Sequence, residues 1–125
     1  MRIAIVGSRD YPNLLEVREF VQSLPRDTVI VTGGARGVDE TAEDEARALG
    51  MKVVVHRAEW DVYGKAAGQI RNRTIVEDCD KLKAFWNGAS TGTKGSITLA
   101  SKAGKLLGVR QIGKDTRQPG LFDNL

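Results

Sequence analysis

The sequence predicts an α/β protein: a single Rossmann-like, three-layer domain with a parallel sheet of about five strands and helices on both faces. Three observations carry this expectation. The chain has 125 residues, 41% hydrophobic and 28% charged, which suits one core and leaves no room for a second. Strand-like and helix-like patterns alternate from end to end with short connections, as they do where parallel strands are joined by helical crossovers. The strand-like runs are almost wholly apolar rather than alternating, which is the pattern of strands covered on both faces.

The elements follow in order. Residues 2–6 (RIAIV), 28–32 (TVIVT), 52–56 (KVVVH) and 82–86 (LKAFW) are short β-branched or aromatic runs, each followed by Gly, Ser, Asn or Arg. A last short strand is expected over 108–112. Residues 13–24 carry Leu14, Val17, Phe20, Val21 and Leu24 on one helical stripe. Residues 37–49 repeat apolar positions at Val38, Ala42, Ala46 and Leu49 and stop before Gly50, a residue that ends helices well. Third and fourth helices are expected over 68–77 and 93–103. The domain is expected to span residues 1–112, with 113–125 as a basic tail. Residues 1–99 carry 14 basic and 14 acidic side chains, so the net charge of +3 comes entirely from residues 100–125, with five basic and two acidic. That excess suits nucleic acid contact or an ordinary solvated tail.

Several function classes are excluded. Cys79 and His56 are the only residues of their types, so a disulfide framework is ruled out and a Cys/His zinc site nearly so. Both read as structural, and no metal or resident cofactor is expected. No apolar run approaches the length of a membrane span, the N-terminal run is too short for a signal peptide, and a cytoplasmic location is expected.

Ligands of open α/β sheets bind beyond the carboxyl ends of the strands, and four polar, glycine-rich connections fall there: GSRDYP (7–12), GGARGVDE (33–40), GQIRNR (68–73) and NGASTGTKGS (87–96). In the first, Gly7, Ser8 and Arg9 are candidate ligand contacts. In the second, Gly33, Gly34, Ala35 and Gly37 allow tight turns and close approach to the backbone, so that free amides at a helix start face an anion. Arg36 adds a charge-assisted contact to phosphate. Asp39 is placed to accept from a ribose hydroxyl or to act as a catalytic base. The competing reading is that Asp39, like Glu40, Glu43, Asp44 and Glu45, complements the helix dipole. Arg71 and Asn72 come from the third loop, and Arg9, Arg36 and Arg71 together form an expected phosphate clamp. Gly92 and Thr93 come from the fourth, where Thr91 and Thr93 are also candidate helix caps. Trp60, Tyr63 and Trp86 are flat surfaces for stacking on a base, and Trp86 is taken as a ligand contact. Neither a Walker A loop nor a G-x-G-x-x-G fingerprint is present, which disfavours a P-loop NTPase and a dehydrogenase.

Taken together, GSRDY, GGARGVD, the AEW–YG–AGQIRNR run and the GASTGT loop resemble the SLOG superfamily, the Rossmann-like group that includes DprA-type DNA-processing proteins and the Lonely-guy phosphoribohydrolases. Within it they are similar to the YspA/cpYpsA-related branch, over about residues 1–112. The resemblance implies a nucleotide or nucleotide-sugar ligand, such as a phosphorylated nucleoside or an NAD-derived molecule, held by a sensor or sequestering module. Lonely-guy enzymes use P-G-G-x-G-T-x-x-E, and Ser96 stands here where that glutamate would be. A hydroxyl supplies neither the anion nor the base that N-glycosidic cleavage needs, so Asp39, Glu59 or Asp61 would have to substitute in a nucleotide N-glycosidase. A third alternative is a DNA-processing accessory protein.

Two further partners are expected. SLOG relatives pair through helices beside the site, and the small residues Gly95, Ser96, Ala100 and Ala103 suit a homodimer or packing on the chain's own sheet. In the tail, QPGLF resembles the Gln-x-x-Leu-Phe motif that docks on the bacterial sliding clamp, with Gln118, Leu121 and Phe122 as its contacts. Self-packing of the Leu–Phe pair is the alternative.

Overall fold

The apolar runs form five strands in a computed structural model that describes residues 1–112. Gln118, Leu121 and Phe122 of the clamp-like motif lie outside the described residues. The strands are β1 (Arg2–Gly7), β2 (Val29–Thr32), β3 (Lys52–Val55), β4 (Lys81–Trp86) and β5 (Leu106–Gln111). All neighbours pair in parallel, in the order β3-β2-β1-β4-β5. The chain winds outward from β1 to β3, then crosses back to lay β4 on the other side of β1. That reversal makes the carboxyl ends of β1 and β4 the topological switch point, where the crossovers diverge and leave a crevice.

The helices are α1 (Leu14–Gln22), α2 (Val38–Ala48), α3 (Trp60–Tyr63), α4 (Ala67–Glu77) and α5 (Thr91–Lys102), with a 3₁₀ turn over Gly64–Ala66 between α3 and α4. Alternation along β1 sends Ile3 and Ile5 into a core with Val17 and Val21 of α1 and Val38, Ala42 and Ala46 of α2. Ala4 and Val6 face the opposite way, with Ile75 and Val76 of α4 and Ala100 of α5. These two cores are the three-layer arrangement. Each fully buried Ile, Leu or Val adds about 1.5–3 kcal/mol, and Ile5, Ile30, Val31 and Leu82 are all at 0% exposure.

Four expectations need correction. Strands buried on both faces hold for β1, β2 and β4, but β3 is only half-buried and most of β5 is exposed, because both lie at sheet edges. β5 starts two residues early: Leu82 pairs with Leu106 and Lys83 with Gly108, so Leu107 bulges out, 50% exposed. The fourth expected helix, α5, starts at Thr91 because Ser90 caps it, its Oγ accepting from the Thr93 amide, rather than Thr91 or Thr93 serving as the cap. Helical turns over residues 60–66 were not expected. None of those residues is buried, so no apolar period marks them in the sequence.

In α5, Ser96 and Ala100 pack against the protein's own sheet, whereas Gly95 and Ala103 are exposed. The small-residue stripe is therefore half accounted for within the chain. No helix among the described residues is long and apolar enough to cross a membrane.

Candidate functional site

Chain reversal after β2 begins at Gly37, which takes φ +83 with the Arg9 carbonyl where a β-carbon would stand. Only glycine fits there without strain. Helix α2 starts at the next residue, and Asp39 in its first turn folds back over the loop it has just left. Its Oδ2 accepts from the Gly33 amide at 3.2 Å and the Ala35 amide at 3.3 Å. Two of the GGARG amides, those of Gly33 and Ala35, are thus already taken by the chain's own carboxylate. Gly33 is wedged in this arrangement. A β-carbon on it would lie 2.8 Å from Arg71 Nη1 and 2.9 Å from Asp39 Oδ2.

Asp39 is only 5% exposed, and its Oδ1 has no hydrogen-bond partner among the described residues. Burial pushes its carboxyl up to about 6, although the Ala35 amide, the positive charge of Arg71 and the amides of Gly33 and Gly7 all pull it down. Arg71, from α4, donates through Nη1 to the Gly33 carbonyl at 2.7 Å and through Nε to Asn72 Oδ1 at 2.9 Å. Burial draws its pKa down, the Asp39 charge opposes this, and the like charge of Arg9 adds to the lowering. Asn72 in turn donates to the Gly92 carbonyl at 3.3 Å. It therefore joins Arg71 to the start of α5.

At the switch point, β1 and β4 are tied by polar groups that sequence reasoning missed. The Asn87 amide donates to Ser8 Oγ at 3.0 Å, and its side-chain nitrogen donates to Asp10. Asn87 Oδ1 accepts from the amides of Ala89 and Ser90, both at 2.9 Å, a closed turn that aims the following helix. The Asn87–Gly88 pair was the available turn signal. At the start of α5, the Thr91 and Gly92 amides have no acceptor among the described residues, as expected of a first helical turn.

A cavity of about 1200 Å³ opens at this point. Of the expected contacts, Gly7, Arg9, Ala35, Asp39, Arg71, Asn72, Gly92 and Thr93 line it. The other six expected contacts do not. Ser8 is buried and braces Asn87. Gly33 and Gly34 present their carbonyls to Arg71 and Arg57. Gly37 makes the turn, and Arg36 is exposed in it, so of the three expected arginines only Arg9 and Arg71 line the cavity. Trp86 donates its indole N–H to the Ser90 carbonyl at 2.9 Å and braces the α5 cap. Lys65, Arg73 and Lys94 also line the cavity, so five cations face it against two carboxylates, Asp10 and Asp39. Trp60, 54% exposed, stands at its wall. Ser96 reaches the lining but donates to the Gly92 carbonyl at 3.4 Å. Glu59 and Asp61 are absent from the lining, so of those three carboxylates only Asp39 is in it.

Comparison with known proteins agrees with the fold. Residues 1–63 match the YspA, cpYpsA-related SLOG family. Gene 61 protein of Mycobacterium phage D29 is 37% identical over 113 residues, covering 82% of this chain and 90% of that protein. Among solved structures, DNA processing protein A from Streptococcus pneumoniae superposes with a TM-score of 0.73 at 23% identity, over 91% of this chain and 52% of that one. The Helicobacter pylori protein of the same name, whose structure describes a single-stranded DNA binding mode, superposes with a TM-score of 0.64 at 24% identity. That match covers 85% of this chain and 63% of the other. The chain thus spans between half and two-thirds of these structures' length, and at such identity the likeness speaks for the fold alone.

Proposed function

Since the chain belongs to the YspA, cpYpsA-related SLOG family, we propose that it binds a phosphorylated nucleoside or a related nucleotide-sugar at the β1/β4 switch point, as a sensing or sequestering module. The observation that carries this reading is the pairing of an unpartnered, buried Asp39 oxygen with an excess of cations in one cavity. A phosphate fits the free amides at the start of α5, between Arg9 and Arg71, where the helix dipole and charge-assisted hydrogen bonds add. A ribose hydroxyl donates to Asp39 Oδ1, satisfying a buried acceptor that is otherwise costly to leave alone. The base lies against Trp60. Because Asp39 takes two of the GGARG amides, the start of α5 takes the phosphate in preference to the start of α2.

Calorimetry with AMP and with ADP-ribose tests this reading. Micromolar to millimolar binding that weakens with added salt supports it, and heat-silent titration with both ligands sinks it. A single-stranded oligonucleotide, run alongside, separates a DNA-processing role, since binding there would grow with strand length and fall steeply with salt.

A hydrolytic role is favoured by one feature, a buried carboxyl with one unpartnered oxygen on a residue that lines the cavity, pushed up by burial to about 6. With Ser96 in the position of the Lonely-guy glutamate, efficient base release from AMP is not expected. Release at low enzyme concentration that disappears in Asp39→Asn would establish the hydrolase instead.

A further inference from the structure

A second, smaller cavity of about 320 Å³ shares the Arg71 side of the first. Its walls come from residues that follow β3, His56, Arg57 and Glu59, from Tyr63 of α3, and from α4, where Ala67, Ile70, Arg71 and Thr74 repeat at helical spacing. Arg71 lines both cavities. The Gly33–Gly34 turn is pinned by two guanidinium groups. Arg71 Nη1 donates to the Gly33 carbonyl at 2.7 Å, and Arg57 Nη1 donates to the next carbonyl, Gly34, at 3.1 Å. Each arginine has five N–H donors, so most of those of Arg57 and several of Arg71 remain. Neither forms an ion pair within 4.0 Å among the described residues. His56 is committed elsewhere, its Nε2 hydrogen-bonded to Asp78 at 2.7 Å. Glu59 is the one carboxylate of the wall and is exposed.

From this we infer that the smaller cavity is a second anion subsite, joined to the first through Arg71, and that the ligand is a two-ended nucleotide whose second phosphorylated sugar sits between Arg57 and Arg71. The inference rests on the proposed nucleotide site and adds a ligand class to it. The size suits one phosphorylated sugar, so a base carried on that sugar would lie outside the cavity. Tyr63, Ala67 and Ile70 give the sugar an apolar and aromatic wall, while the two guanidiniums take phosphate oxygens by charge-assisted hydrogen bonds. A mononucleotide fills only the larger cavity and leaves Arg57 unused. Two chemistries offer a second phosphorylated sugar: a pyrophosphate-linked ribose, as in ADP-ribose, and a phosphodiester-linked dinucleotide, as in pApA.

Calorimetric affinities of the full chain for AMP, ADP-ribose and pApA decide the matter. At least one two-phosphate ligand is expected to bind about tenfold tighter than AMP or better, the worth of one added charged hydrogen-bond pair, and which one does identifies the linkage. In Arg57→Ala that ratio of affinities should fall to about one. Because Arg57 also holds the Gly34 carbonyl, Tyr63→Ala provides an independent check: its side chain lines only the smaller cavity, is 46% exposed, and its loss should reduce the same ratio. Equal affinities for all three ligands, or a preference that survives both substitutions, overturns the second subsite while leaving the nucleotide site in place. No binding of any of the three overturns the nucleotide site itself.

Discussion

The cluster around Asp78 and the cluster around Asp39 use the same residue types to opposite ends. Beneath β1, Arg2 grips Asp78 through two short contacts of 2.7 and 2.8 Å, and His56 holds the other side of the same carboxylate at 2.7 Å. The Arg2 amide donates to Asp80, and Lys105 donates to carbonyls at the end of α4. Every charged group named there has a hydrogen-bond partner. At the carboxyl ends of the strands, Asp39 and Arg71 interact through Gly33 without forming an ion pair, Arg9 adds a like charge, and Asp39 Oδ1 is left bare. A cluster built for stability closes its own charges, because an unpaired buried group costs several times what a made hydrogen bond returns. The open cluster is where the proposed ligand would complete the set.

The sharpest way to break this contrast is to remove charge from each cluster. Asp39→Asn should stabilise the protein at pH 8, by on the order of 3 kcal/mol at most, the equivalent of the shift from 3.8 to about 6. An asparagine oxygen still accepts from the Gly33 and Ala35 amides, while the buried negative charge is gone. The folded-state carboxyl of Asp39 is raised, so the folded state binds its proton more tightly than the unfolded state does. Its contribution to stability is full below the ordinary carboxylate range and is lost as pH rises through about 6. Urea denaturation of both proteins from pH 4 to 8 should therefore show the variant gaining on the parent as pH rises. Stabilisation should come with weaker AMP binding, the exchange expected where a site is held in a costly state. A variant less stable than the parent at pH 8 would show that the carboxylate is a structural group after all.

Arg71→Ala sharpens the comparison from the positive side. AMP affinity should fall about tenfold to a hundredfold, the range for a lost charged hydrogen bond. Stability should fall by about 1–3 kcal/mol, since hydrogen bonds to the Gly33 carbonyl and to Asn72 Oδ1 are both removed. Arg36→Ala, on an exposed residue outside the cavity lining, should leave AMP affinity within about twofold. Equal losses in the two variants would restore the three-arginine clamp.

How much of this was legible in the sequence depends on range. Runs such as RIAIV and KAFW, with Gly and Asn after them, declare buried strands and place their carboxyl-end loops, so the edge at which the larger cavity opens follows from chain order alone. Direction does not. Arg36 and Arg71 look alike in sequence, each beside a glycine-rich turn, but a left-handed Gly37 leaves one exposed while helix α4 carries the other under Gly33. Nor does the linear pattern show that Asp39 closes on Gly33 and Ala35, or that Asn87 bridges β1 to β4, because these bonds exist only once separate loops meet. The smaller cavity was illegible for a further reason. It requires the exposed turns over residues 60–66, whose side chains carry no burial period.

The smallest expected effect comes from the closed cluster. The Asp78 carboxyl is held below its ordinary range: burial opposes ionisation, but the hydrogen bonds from His56 and Arg2 and their charges outweigh it. Its contribution is therefore present above the ordinary carboxylate range and is lost as pH falls through the lowered folded-state value, the reverse of Asp39. The Arg2 and Asp78 side chains are 38% and 30% exposed, so solvent screens much of the attraction, and even the two-point Arg2 contact is worth about 1 kcal/mol. Asp78→Asn should lower stability by about that amount at pH 7. The deficit should shrink in molar salt, where exposed pairs are screened, and again as the solution is acidified and the parent loses the same charge. AMP affinity should not move, since Asp78 lies outside the larger cavity. A deficit that is insensitive to both salt and acid would assign Asp78 to hydrogen bonding rather than to charge, and a change in AMP affinity would show that the two clusters are coupled through the sheet.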